Sequence, residues 1–194
     1  RGSLFFGLPM DYRPARRHYQ LPPRNPTLRH SVALMEENTC VLGAVYELTQ
    51  QEMFTALRGQ GAKCNGHAIQ VSPEKELQQA LFATGFPYES SGQDEAMGAL
   101  LVHLFRHSRG LRRLGSAATD LAYVAAGRFS GFFEYGLSPW DVAAGALLVE
   151  EAGGMVSDFQ GGTNYLHGEE ICAGSKALQE SFRALLGEYL SFKS

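Results

Sequence analysis

At 194 residues, 44% of them hydrophobic and 19% charged, the chain holds enough apolar material for one sizeable core or two small ones. A net charge of −3 gives no electrostatic reason to expect nucleic acid or a membrane surface as partner, and no apolar run approaches the roughly 20 residues of a membrane span. There is no signal-peptide pattern, and Cys40, Cys64 and Cys172 lack metal-ligand spacing and read as reduced thiols, so the expectation is a soluble, cytoplasmic protein.

Residues 4–8 form a short apolar piece suited to a strand. Residues 11–30 carry four prolines, five arginines and two histidines without apolar periodicity, which predicts an irregular basic segment, either a solvated arm or a lip that attracts phosphate. Residues 31–35, 40–48 and 52–57 are rich in Val, Tyr, Phe and Thr and predict a three-stranded meander. Asn65-Gly66 then predicts a hairpin between 62–64 and 68–71. The preceding Gly59-Gln60-Gly61 lacks the Lys-Ser/Thr ending and following helix of a phosphate-cradling loop, so a structural role is expected for it.

Ser72-Pro73-Glu74 has the pattern of a helix start and of a boundary between lobes. It divides the chain into the basic segment (1–30), the remnant of a β-rich N-terminal lobe (31–72) and an α/β lobe (73–194). In that last lobe, strands at 81–84, 111–114, 131–134, 155–158 and 171–173 are interspersed with helices at 94–106, 117–126, 142–152 and 176–190. Such alternation after a strand-rich first part predicts a layered α/β architecture.

Two acids stand out. Asp141 directly precedes a run of small and apolar helix formers that Gly153-Gly154 ends, which suits an N-cap; Glu134 follows Phe132-Phe133 at the end of a short buried strand. Either could be structural, a cap or a rim acid, or could hold a cation or a ligand hydroxyl. Gly115-Ser116-Ala117 opens a helix and presents free backbone amides at its positive end, which suits an anionic or polyol ligand as well as an ordinary cap at Ser116. A basic cluster, His103, Arg106, His107, Arg109, Arg112 and Arg113, borders either a phosphate site or open solvent. No cysteine lies in a loop motif suited to covalent catalysis.

Taken together, Gly115 to Ala118, Tyr123 to Arg128, Glu134, Trp140 to Gly145 and Glu151 to Gly154 make a gapless run that resembles the C-terminal signature of the inositol monophosphatase family. The resemblance implies an α-β-α-β-α sandwich and a magnesium-dependent hydrolysis of a small phosphate ester, inositol monophosphate or a related sugar phosphate, by metal-activated water. It implies that Asp141 binds Mg2+ and contacts substrate, that Glu134 bonds a sugar hydroxyl, and that Gly115, Ser116 and Ala117 line the substrate pocket. Homodimerisation is a further implication.

The chain departs from the family ahead of the meander. The Glu-Glu pair and the Asp-Pro-Ile/Leu-Asp-Gly-Thr/Ser motif that supply most metal ligands are missing, and Asp11-Tyr12-Arg13-Pro14 stands where the second is expected. Three explanations are open: residues of a fuller protein are omitted from this sequence, the chain is a non-catalytic relative with a binding or scaffold role, or Asp11, Glu36, Glu37 or Glu47 supplies the ligands. Omission is the leading expectation, because Glu134 and Asp141 are both present.

Overall fold

The computed structural model describes residues 2–7, 29–86 and 92–190. The basic stretch between the first two of these ranges, Asp11 included, lies outside the described residues. The first sheet takes its strands in chain order: β1 (Gly2–Gly7), β2 (Arg29–Glu36), β3 (Thr39–Glu47), β4 (Glu52–Leu57), β5 (Ala62–Cys64) and β6 (His67–Ala68). Every neighbouring pair is antiparallel, as the predicted meander and hairpin require, with Phe54 opposite Val45 and Asn65-Gly66 turning between β5 and β6. Alternation along β3 and β4 buries Val45, Phe54 and Ala56 and turns Leu42, Met53 and Leu57 to the outer face, where they are exposed.

The second part contains β7 (Leu81–Thr84), α1 (Asp94–His107), β8 (Gly110–Arg112), α2 (Ala117–Ala125), β9 (Gly131–Tyr135), α3 (Pro139–Glu151), β10 (Gly154–Ser157), β11 (Glu170–Ser175) and α4 (Lys176–Tyr189). Its sheet has the order β10-β11-β9-β7-β8, with β7 parallel to both β8 and β9 and the remaining pairs antiparallel.

Two apolar clusters explain the layering. The first joins Val45 and Phe54 of the first sheet to Leu121, Leu147 and Leu148 of α2 and α3, and to Phe132 and Ile171 of the second sheet. The second covers the other face of that sheet with α1 and α4, through Phe82, Leu100, Leu104, Phe133, Leu178 and Phe182. Adjacent Phe132 and Phe133 thus serve opposite faces of β9, each fully buried and each worth roughly 1.5–3 kcal/mol. The resulting order is sheet, helices, sheet, helices. These are four of the five layers the resemblance implies, and among the described residues no helix covers the outer face of the first sheet.

Small residues set the spacing of the middle layer. A methyl group at Gly43 would lie 2.8 Å from the Ala144 carbonyl oxygen, and one at Gly145 would lie 2.6 Å from Leu121 Cβ. Hence β3 presses against α3 and α3 against α2 only because both positions are glycine. A bidentate Arg128–Glu52 ion pair, with contacts of 2.5 and 2.6 Å, ties the segment after α2 to β4.

Two expectations about helix starts are corrected. Ser72-Pro73 opens no α-helix; the chain runs on to a single 3-10 turn at Leu77–Gln79. The Ser175 hydroxyl donates to the Glu74 carbonyl at 3.1 Å and the Val71 amide to the Ala152 carbonyl at 3.2 Å, so neighbouring elements fix the backbone that a helix would have used. Helix α3 begins at Pro139 rather than Val142, with Ser138 at the N-cap and Asp141 two residues into the first turn.

The structural reading of the glycine loop is borne out. Its amides are occupied from within: Gly59 and Gly61 both donate to the Glu151 carboxylate at 2.8 Å, with φ of +77° and +79°. Glu151→Ala is expected to cost about 1 kcal/mol, because two charge-assisted bonds in a partly exposed setting are lost. Hydrogen exchange at the Gly59 and Gly61 amides checks it, and unchanged protection there would refute it.

Candidate functional site

Strand β7 is the point at which the second sheet reverses direction. Its exit leads through α1 to β8 on one side, whereas β9, paired on its other side, leads through α3 to β10. Ligands of open α/β sheets bind in the crevice outside the carboxyl ends of strands at such a reversal. Thr84 is paired with Phe133, and the Thr84 hydroxyl donates to the Phe133 carbonyl at 2.8 Å, which places Gly85 beside Glu134 at the mouth of this crevice.

Strand alternation puts Glu134 on the same face as Phe132, toward α2 and α3. The space a side chain at Gly85 would need is taken by the Glu134 carboxyl group. Gly85→Ala therefore displaces that carboxyl. Because the displaced group is the end of a flexible chain, the expected stability cost is only about 1 kcal/mol. Urea unfolding of Gly85→Ala, Glu134→Ala and the double variant checks this: the cost of Gly85→Ala should vanish when Glu134 is truncated, and strict additivity would refute the contact.

Two helix starts face the same crevice. In α3, the Asp141 carboxylate accepts the Ser138 amide at 3.0 Å, which holds it at the positive end of the helix. In α2, Ser116 is the N-cap and accepts the Thr119 amide at 3.4 Å, Gly115 before it has φ +82°, and Ala117 is buried in the core. One turn after Ser116 stands Asp120, 1% exposed.

The electrostatics show which of these groups act on one another. Burial, and then the charges of Asp120 and Asp141, push the Glu134 carboxyl up to about 8, while Arg113 acts the other way. Of the predicted residues, Glu134 and Asp141 are thus near enough for one charge to act on the other, and Ser116 lies one turn from the third acid on α2. Sequence reasoning missed Asp120 and Gly85. Asp120 had a signal, being the one acid in the apolar run AATDLAYVA and four residues after Ser116, hence on its face. Gly85 had none.

The basic cluster divides. Arg113 serves the crevice and lies 5.1 Å from the centre of the Phe86 ring, whereas His103, Arg106 and His107 belong to a separate cavity on α1. Of the alternative metal donors, Glu36, Glu37 and Glu47 are not among the charges that act on Glu134. Glu36 and Glu37 are exposed at the turn between β2 and β3, and Glu47 is buried with its carboxylate accepting the Gln50 amide at 2.6 Å.

Asp120 and Asp141, each repelling Glu134, offer with it the carboxylate oxygens that a hard cation such as Mg2+ prefers. They do not fit it in number: among the described residues no three His, Cys, Asp or Glu side chains gather so as to hold a metal ion.

The chain thus has a layered α/β fold with acids at a strand-reversal crevice, the place where open α/β sheets commonly take ligands. More narrowly, the chain belongs to the inositol monophosphatase family, whose model matches residues 30–191. It is 44% identical over 168 residues to the Nus factor SuhB of Escherichia coli K12, an alignment covering 87% of this chain and 63% of that protein. The Nus factor SuhB of Pseudomonas aeruginosa is 45% identical over 165 residues, 83% of this chain and 59% of that protein.

Among solved structures, the extragenic suppressor protein suhB of Bartonella henselae superposes with a TM-score of 0.80 at 38% identity, covering 85% of this chain and 63% of that one. The inositol monophosphatase of Anabaena superposes at 0.79 with 35% identity, covering 85% and 67%. The chain thus spans about three fifths of the length of the curated relatives it matches.

Proposed function

We propose that this chain is the substrate-facing lobe of a magnesium-dependent phosphomonoesterase acting on inositol monophosphate or a related sugar phosphate. The observation that carries the reading is that Glu134, at the crevice between β7 and β9, feels the charges of both Asp120 and Asp141. Asp141, oriented by the Ser138 amide, is the cation ligand and a substrate contact. Glu134, held against Gly85, accepts a hydrogen bond from a sugar hydroxyl. Gly115, Ser116 and Ala117 border the substrate at the start of α2, where the helix dipole favours negative charge. Mg2+, when bound, supplies polarisation of the phosphate ester and a more acidic water. The remaining donors come from outside the described residues, and a homodimer in the cytoplasm is part of the same reading. Its three free cysteines suit a reducing compartment.

The test is magnesium calorimetry followed by phosphate release from inositol 1-phosphate in the same sample. Binding with release supports the reading; neither, in a protein that includes the whole family length, would refute it.

A second reading is a non-catalytic binding or scaffold protein on a phosphatase fold. It is favoured by the name Nus factor given to relatives at 44% and 45% identity, which points to a macromolecular partner and removes the ground for excluding nucleic acid. Phosphate release abolished by a site variant, in a protein that binds Mg2+, would separate the enzyme from the scaffold.

A further inference from the structure

The outer face of α1 carries a feature that the carboxylate crevice does not use. His103 and His107 are one helical turn apart, with ring centres 4.4 Å from each other and planes inclined by 35°. They line a cavity of about 330 Å³ with Gly98, Val102, Arg106 and Tyr189, which opens to solvent. His107 Nδ1 lies 2.9 Å from the His103 carbonyl oxygen, and His103 Nδ1 lies 3.0 Å from the Tyr189 hydroxyl.

These contacts determine which nitrogens are available. A carbonyl oxygen only accepts, so Nδ1 of His107 carries the hydrogen, and in the neutral ring Nε2 presents its lone pair. Tyr189 can accept from Nδ1 of His103, which gives that ring the same tautomer. An imidazole whose second nitrogen donates to a carbonyl or other acceptor is the usual arrangement of a metal-ligating histidine. Two bonds of about 2.0 Å at a tetrahedral angle need nitrogens about 3.3 Å apart. Ring centres 4.4 Å apart put both imidazoles within the span of one such ion.

We propose that His103 and His107 form a surface site for a borderline divalent transition ion, Zn2+ or Ni2+, bound through both Nε2 atoms with water completing the coordination. The site differs in kind from the carboxylate crevice, because imidazole nitrogen suits these ions and hard Mg2+ prefers oxygen. Arg106 on the cavity wall acts against the ion, and the exposed position lets solvent screen it. An exchangeable site is therefore expected.

The test is a Zn2+ titration by calorimetry with excess Mg2+ present to occupy the carboxylates. The wild-type chain is expected to bind one equivalent, and His107→Ala, at an exposed position that the core does not use, to weaken binding about tenfold or more, as is His103→Ala. Zn2+ affinity equal in both variants and the wild type, or no binding by the wild type, would overturn the proposal. Substoichiometric Ni2+ in an NMR sample provides a readout independent of mutation. Selective broadening of the His103 and His107 ring signals supports the site, and broadening centred on other histidines or on Cys64 overturns it.

Discussion

Asp141→Asn is expected to reduce phosphate release to background and to weaken magnesium binding about tenfold or more, while leaving the fold in place. The carboxylate has two separable roles. Its Oδ2 accepts the Ser138 amide at 3.0 Å, a bond that the amide oxygen of asparagine can also accept, so the first turn of α3 keeps its partner. Its charge is what a cation needs, and that charge is lost. The charge also sits near the helix N-terminus, where losing it costs about 0.3–1 kcal/mol. Against this, the same charge raises the Glu134 pKa, so its removal relieves repulsion in the crevice. The two effects oppose each other, and the melting temperature should move little. Calorimetry and thermal unfolding on one preparation check both halves. Full activity in a folded Asp141→Asn protein would remove Asp141 from the metal site.

The middle of the chain was legible because its patterns are local. Alternation in β3 and β4, the Asn-Gly turn and the apolar stripe of α4, with Leu178, Phe182, Leu185 and Leu186 buried, depend on neighbours in sequence. The helix expected at Ser72-Pro73 failed for the opposite reason. Ser72 is 3% exposed and its hydroxyl donates to that of Ser130 at 3.4 Å, a distant partner that no local pattern announces. The start of α3 was misplaced by three residues because aspartate is favoured both at the N-cap and in the first turn. Serine followed by proline was the better signal.

The candidate site shows its acids in the sequence and hides its geometry. Glu134 and Asp141 stand in a dense motif, yet nothing in the sequence says that strand pairing sets Gly85 beside Glu134. The glycine loop reads correctly as structural in the sequence, but its partner is hidden there. Gly59 and Gly61 do offer amides to an anion, and that anion is Glu151 from the end of α3, 92 and 90 residues away respectively. Glu150 beside it is likewise engaged, by Arg58 at 2.9 Å and the Tyr165 hydroxyl at 3.1 Å. The two acids ending α3 therefore fasten the first sheet to the middle layer, whereas Asp141 stands at the other end of the helix.

Glu134→Gln is expected to stabilise the protein at neutral and alkaline pH while weakening substrate binding. In the folded chain the Glu134 carboxyl is raised from 4.5 to about 8, chiefly by burial and then by the charges of Asp120 and Asp141. An acid raised in this way binds a proton in the fold that it releases in the unfolded chain. The wild type is therefore most stable, on this account, below pH 4.5, and the contribution is lost as pH rises through about 8. Glutamine has the shape of the protonated acid and does not titrate, so the variant escapes the loss. The difference between the two should be absent at pH 4, open above 4.5 and level off above about 8. At about 1.4 kcal/mol per unit the upper bound is about 5 kcal/mol, and relaxation together with partial solvent access reduces this to on the order of 2 kcal/mol. Urea unfolding of both proteins at pH 5 and pH 9 measures it, and a difference that does not vary with pH would refute the raised pKa. Magnesium should narrow the gap, because a cation beside the crevice favours the ionised acid. Stability forgone by mutual repulsion and recovered on binding is the trade expected of acids kept for a ligand, whereas acids kept for packing would stabilise the fold unaided.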